Sequence, residues 1–281
     1  MPARHALGHS LEALGGIKSA VSKRKSVKDF RSSRELLPDE VFAYVTGDRW
    51  RPTDLVRKRV WRGIMHLPDD VALTTSNHHG KQLRTLYTFW GAWYEAIGED
   101  QDALYGAMLD AGDCFQSSTF DALHGYYRSA LSNLRAALDL VAIGTVGNLT
   151  SDDPVYAKWK VGNARVVFPR TQLRRLTKEP VSSLLFKQAG WIDNLYDELS
   201  ACTHSRPDAS DGTMWESNGP VYSTLAFRKV FGSQIATYAA CYHMVKVGRP
   251  AFTLPKQSEF IFLPPFASAE GEQMYRTVFG L

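Results

Sequence analysis

Two stretches hold the residues of this chain whose types and spacing could do chemistry: His124 to Asp139 (HGYYRSALSNLRAALD) and Leu195 to Arg206 (LYDELSACTHSR). Both read as amphipathic helices. On the first, expected over Thr119 to Ile143, successive residues turn by about 100° and His124, Arg128, Arg135 and Asp139 form a narrow line beside an apolar stripe. On the second, expected over Ser182 to His204, the residues Asp193, Asp197, Ser200 and His204 are spaced four, three and four apart and border its apolar stripe. Two readings of this pair are open. In the structural one, Arg128 and Arg135 pair with Asp193, Asp197 or Asp139 and orient packed helices, because partly buried charges demand partners. In the chemical one, the helices flank a cleft where His204 is acid or base and an arginine holds a phosphate.

Other polar clusters carry less. Asp208, Asp211 and Glu216 fall in a polar loop without a recognised cation-loop spacing, so a solvated loop is expected there. His78 and His79 are adjacent and point apart, while Ser76 or Asn77 suits the N-cap of a helix starting near Lys81. There is no dinucleotide fingerprint, phosphate loop or nucleophile elbow. Cys114, Cys202 and Cys241 are odd in number and lack paired metal-ligand spacing, which argues against a disulfide framework or zinc site and for a reducing, cytoplasmic setting. Neither a metal nor a cofactor is implied.

The elements that must position the two stretches are helical. Leu83, Leu86, Trp90, Trp93 and Ile97 recur at three- and four-residue steps from Lys81, closed by Gly98. A helix over Asp102 to Ser117 follows, then the one with Tyr127, Leu131, Leu134, Leu138 and Val141 as its stripe. Residues 144–178 read as a long excursion with a helix near Asp153 to Asn163. The Ser182 to His204 helix carries Leu185, Ala189, Ile192, Tyr196 and Leu199 and stops before Pro207. The last helix, Val221 to Val247, is apolar at Leu225, Phe231, Ile235, Tyr238, Tyr242 and Val245. A small β-hairpin is read at Arg59 to Thr75, around Pro68-Asp69-Asp70, and the proline-rich segment 251–281 reads as an extended tail. The fold class is therefore mainly α: a helical bundle domain over 66–250, an N-terminal extension over 1–65 and an irregular C-terminal tail over 251–281.

Composition supports a globular chain of 281 residues, 44% hydrophobic. The longest apolar run, Ala136 to Val146, is interrupted by Asp139 and too short to span a bilayer, so no membrane association is expected. Charge is uneven: residues 1–65 hold fourteen Lys or Arg against seven acids, although the whole chain is only +4. The densest basic runs, Lys23-Arg24-Lys25 and Arg57-Lys58-Arg59, stand near Trp50 and Trp61. Cations beside aromatics suit phosphate contact with base stacking, so these six residues are the candidate RNA contacts. A solvated arm that docks a protein partner is the other reading.

The pairing of the YYRSALSNLRAALD helix with the later LYDELSACTH helix resembles helical proteins of the HEPN superfamily, found in prokaryotic toxins, abortive-infection proteins and antiviral systems. The resemblance covers about residues 83–247. It implies a bundle of four or five helices, frequent homodimerisation and, in active members, metal-independent RNA cleavage by an Arg that precedes a His near the end of a late helix. His204 fits the His position. The positions that would hold the Arg are Asp197, Glu198 and Leu199, and Arg206 follows His204. Catalysis then requires Arg128 or Arg135 from the neighbouring helix, which makes His204, Arg128, Arg135 and Asp197 the candidate catalytic set. The competing expectation is a non-catalytic assembly or adaptor protein whose polar helix faces are ion-pair seams.

Overall fold

The structure, a computed structural model, describes residues 58–99, 101–162, 168–203, 219–262 and 269–280. The chain divides into two compact units, 1–67 and 68–281. Lys23, Arg24, Lys25, Arg57, His204, Arg206 and the 208–216 loop lie outside the described residues. Lys58 and Arg59 fall in the first turn of a helix.

The described residues are mainly helical and contain no strand: α1 Lys58–Ile97, α2 Ala103–Leu123, α3 Tyr127–Leu149, α4 Pro154–Lys160, α5 Arg170–Leu176, α6 Val181–Leu185, α7 Trp191–Thr203, α8 Thr224–Gly248, a 3-10 helix Lys256–Phe262, and α9 Ala269–Phe279. Among them, no helix is long and apolar enough to cross a membrane.

The hairpin expected at Arg59 to Thr75 is instead part of α1. Val71, Thr75 and His79 are buried at four-residue steps, and the Thr75 hydroxyl donates to the Val71 carbonyl at 2.9 Å. Helical burial thus overrides the turn chemistry of Pro68-Asp69-Asp70. Ser76 and Asn77 are exposed on the helix and are not its cap. A discontinuity does exist close to the expected start: His79 has non-helical φ −127 and ψ 22, and its ring stacks on Phe227 with centroids 4.3 Å apart.

The helix expected over Thr119 to Ile143 is divided. α2 continues to Leu123 and the chain turns at Gly125, where φ is +82. A Cβ at Gly125 would meet the Val221 carbonyl oxygen at 2.5 Å, so both conformation and close approach require glycine there. α3 then runs past Ile143 to Leu149. Its Gly144 lets the Ala107 side chain approach to within 2.6 Å of where a Cβ would stand, so residues read as the start of a loop are a small-residue helix contact.

The expected Ser182 to His204 helix is also two helices, α6 and α7. Ala189 takes φ +54, and its N–H is captured by Asp193 Oδ2 at 2.9 Å. The tail is not simply extended, since it carries the 3-10 helix and α9. Tyr242, buried at the core, needs a hydroxyl partner and finds Ser258 of the 3-10 helix at 2.8 Å. Leu225, expected in the core, is 55% exposed.

Within unit 68–281, α3 is the central helix and packs on α2, α8 and α7. Leu131, Leu134, Leu138 and Val141 are buried as their spacing requires, in one contiguous core that also holds Phe115, Tyr238 and Tyr242. The bundle has two distinct ends. At one, Arg249 donates to both Asp102 oxygens at 2.5 and 2.7 Å and to the Ile97 carbonyl at 2.6 Å. Asn148 joins the same clasp through Asp102 and the Ala103 N–H. Burial works to raise the Asp102 carboxyl, but Arg249, Asn148 and the Tyr105 N–H together hold it below its ordinary value. At the other end lie the Gly125 turn, the start of α8 and the last residues of α7.

Candidate functional site

Polar contacts do join α3 and α7, and of the pairs expected for Arg128 and Arg135 the described residues hold one, Arg135 with Asp139 on the same helix at 3.7 Å. Arg128 Nη2 reaches the Cys202 carbonyl at 3.5 Å, and Ser132 Oγ donates to Thr203 Oγ1 at 3.4 Å. Arg135 Nη2 donates to the Tyr196 hydroxyl at 2.9 Å, its guanidinium carbon 5.3 Å from the ring centre. Phe168 stacks against the same ring at 4.9 Å. Arg135 is thus held by an aromatic residue that the charge pattern alone did not single out.

Asp193 and Asp197 do not pair with Arg128 or Arg135. Their cation is Arg170 of α5, which forms an ion pair with buried Asp193 and stands 4.0 Å from the mostly exposed Asp197. The sequence reading missed Arg170 because it lies in the segment taken as irregular. The signal available was a short amphipathic run, Arg170 to Leu176, directly after Pro169.

Asp139 is the unusual member. It is 7% exposed, its Oδ2 lies 3.7 Å from Arg135, and its Oδ1 has no hydrogen-bond partner among the described residues. Burial pushes its carboxyl up to about 7, against the opposing pull of Arg135. Arg135 therefore neutralises only part of the desolvation cost, because its hydrogen bond goes to Tyr196.

His124 is not on the α3 face at all. It caps α2, its Nδ1 donating to the Phe120 carbonyl at 2.8 Å and its ring lying 4.1 Å from the Phe120 ring. On this side of the turn a second polar group appears. Ser129 Oγ and Asn133 Nδ2 both donate to Asp121 Oδ2, at 2.5 and 3.0 Å. Burial raises the Asp121 carboxyl, while Ser129, His124 and Asn133 pull it down. The groove beside it, about 430 Å³, is lined by Gln116, Ser117, Phe120, Asp121 and Asn133. Asp121 and Ser129 stand equally far from Gly125 in sequence, so placing the turn correctly would have brought them together on paper.

Chemically, the described part of the seam is a set of fixed cations and carboxylates with Arg128 directed at the end of the helix that leads into His204. No group of three or more His, Cys, Asp or Glu suited to a metal ion occurs among the described residues. No family model, curated protein or solved structure matches the chain.

Proposed function

We propose that this chain is a HEPN-like helical protein of a prokaryotic defence or toxin-type system that handles RNA at the end of the bundle bearing the Gly125 turn. The observation that carries the reading is the reach of Arg128 to the Cys202 carbonyl. It brings a guanidinium from α3 to the last turn of α7, two residues before His204 in the chain. This supplies the cation that Asp197, Glu198 and Leu199 do not. In this reading Arg128 holds a phosphate and His204 transfers the proton, so RNA is cleaved without a metal. Arg135 and Asp197 drop out of the catalytic set, since Tyr196 and Arg170 engage them. The basic runs at Lys23-Arg24-Lys25 and Arg57-Lys58-Arg59 contribute sequence-independent attraction for RNA. The protein acts in the cytoplasm, as a homodimer or with a partner protein.

A second reading, a non-catalytic assembly or adaptor protein, is favoured by the same pairing of Arg135 with Tyr196 and of Arg170 with Asp193, which engages both arginines within the bundle. One experiment separates the two. RNA cleavage in chelator and growth arrest on expression are compared for the full chain, His204→Ala and Arg128→Ala, with folding followed by circular dichroism. The ribonuclease reading expects both variants to fold and lose both activities, with Arg128→Lys partly restored. Full activity in His204→Ala refutes it, and absence of cleavage in the full chain favours the assembly protein.

A further inference from the structure

The groove between α2 and α3 has a composition that selects among ligands. Among the described residues that line it there is no cation, and its one charged group is the Asp121 carboxyl. Its carboxylate is held in place from one side only. Ser129 and Asn133 occupy Asp121 Oδ2, and no hydrogen bond from the described residues reaches Oδ1. Donating its amide N–H to Asp121 leaves the Asn133 carbonyl oxygen as a second acceptor beside it. Phe120, 58% exposed, forms an aromatic wall backed on one side by the His124 ring. A flat ligand with adjacent N–H donors and an aromatic face complements this arrangement.

We infer that the groove is a guanine-base subsite, in which Asp121 Oδ1 and the Asn133 carbonyl accept the N–H groups of the base edge while Phe120 stacks on the ring. Adenine and cytosine lack that imino and amino pair on one edge. The guanidinium of a peptide arginine shares the donor pattern, but the volume of about 430 Å³ suits a nucleoside better than a guanidinium. The subsite also neighbours the proposed RNA-handling end: Arg128 reaches α7 while the next residue, Ser129, bonds Asp121. The inference rests on the RNA reading above and gives it a base preference.

The test is a ligand-detected NMR titration of the full chain with GMP, IMP, AMP and N-acetylargininamide, repeated for Asp121→Asn and Phe120→Ala. GMP should bind about tenfold or more tighter than AMP, the lower range of what a paired contact to a base edge contributes, with IMP between them. Asp121→Asn should bring GMP down to the AMP level, and Phe120→Ala should weaken GMP and AMP alike. Phe120 is exposed, so Phe120→Ala keeps the test decisive if Asp121→Asn fails to fold. Equal GMP and AMP binding, tighter binding of N-acetylargininamide, no saturable GMP binding at millimolar concentration, or unchanged GMP affinity in Phe120→Ala would each overturn the subsite. Free GMP is not cleaved. Failure here with His204-dependent cleavage intact removes only the base preference, while retained GMP selectivity without cleavage removes only the ribonuclease.

Discussion

Replacing Asp139 by Asn should make the protein more stable at neutral and alkaline pH, with a gain that shrinks through mild acid and vanishes only below about pH 4. Asp139 is buried, Arg135 stands 3.7 Å away without a hydrogen bond to it, and Oδ1 has no partner among the described residues. The folded carboxyl is consequently raised from 3.8 to about 7. For a carboxyl whose folded value lies above its unfolded one, the folded state binds more protons, so stability falls as pH climbs between the two values. Below about pH 4 both states are protonated and there is no penalty; above about pH 7 the full penalty applies. At about 1.4 kcal/mol per pH unit the displacement corresponds to roughly 4 kcal/mol, and relaxation around the buried carboxylate brings the expected effect to about 2–4 kcal/mol. The amide keeps the shape and removes the charge. Urea denaturation at pH 5, 6, 7 and 8, followed by fluorescence of the seven tryptophans, measures the difference between the two proteins. Taking that difference cancels the opposite pH dependence of carboxyls such as Asp102. The variant should gain on the parent as pH rises, with equal m-values. A pH-independent difference, or a variant that loses ground above pH 7, would mean that Asp139 is a well-paired carboxylate and would refute the reasoning.

Two further substitutions probe the ends of the bundle. Arg249→Met breaks a paired contact to Asp102 and a bond to the Ile97 carbonyl, and should lower stability by about 2 kcal/mol, with Arg249→Lys recovering only part because it lacks the planar fork; thermal melts at neutral pH measure both. Gly125→Ala combines φ +82 with a Cβ 2.5 Å from a carbonyl oxygen and should cost roughly 2 kcal/mol or more. Gly91→Ala, in an open helical position with nothing within 4 Å, should instead stabilise by about 0.5–1 kcal/mol; a similar response at the two sites would contradict the local geometry.

The apolar stripes were legible because burial follows helical spacing directly: Leu86, Trp93, Leu131, Leu138, Ile192 and Leu199 are all buried where periodicity put them. Breaks between helices were less so. Periodicity runs through the Gly125 turn and through Ala189 without interruption, and only tertiary contacts, Val221 at one and Asp193 at the other, decide where the chain bends. The hairpin expected near Pro68 fails for the converse reason, since buried Val71, Thr75 and His79 extend a helix across local turn signals. The seam between α3 and α7 was visible as two polar lines, yet its partners were not. Charge complementarity suggested arginine to aspartate across the pair, whereas Tyr196 takes Arg135 and α5 delivers Arg170 to Asp193. Spacing reports which face a residue occupies, while pairing depends on which third helix arrives.

The Arg249 clasp makes the bundle mechanically lopsided. It ties the last carbonyl of α1, the cap of α2, Asn148 in the final turn of α3 and the residue after α8 into one knot. At the far end, among the described residues, neighbouring elements are joined by separate contacts instead of one knot, such as the bond from the Ser223 N–H to the Tyr127 hydroxyl at 2.9 Å and those from Ser129 and Asn133 to Asp121. Opening fluctuations should therefore begin at the Gly125 end and die out toward Arg249, and amide exchange in α3 should slow from Tyr127 toward Val146. The helix ends around Arg128 and the Asp121 groove then open more readily than the rest, while the knot keeps the core in register.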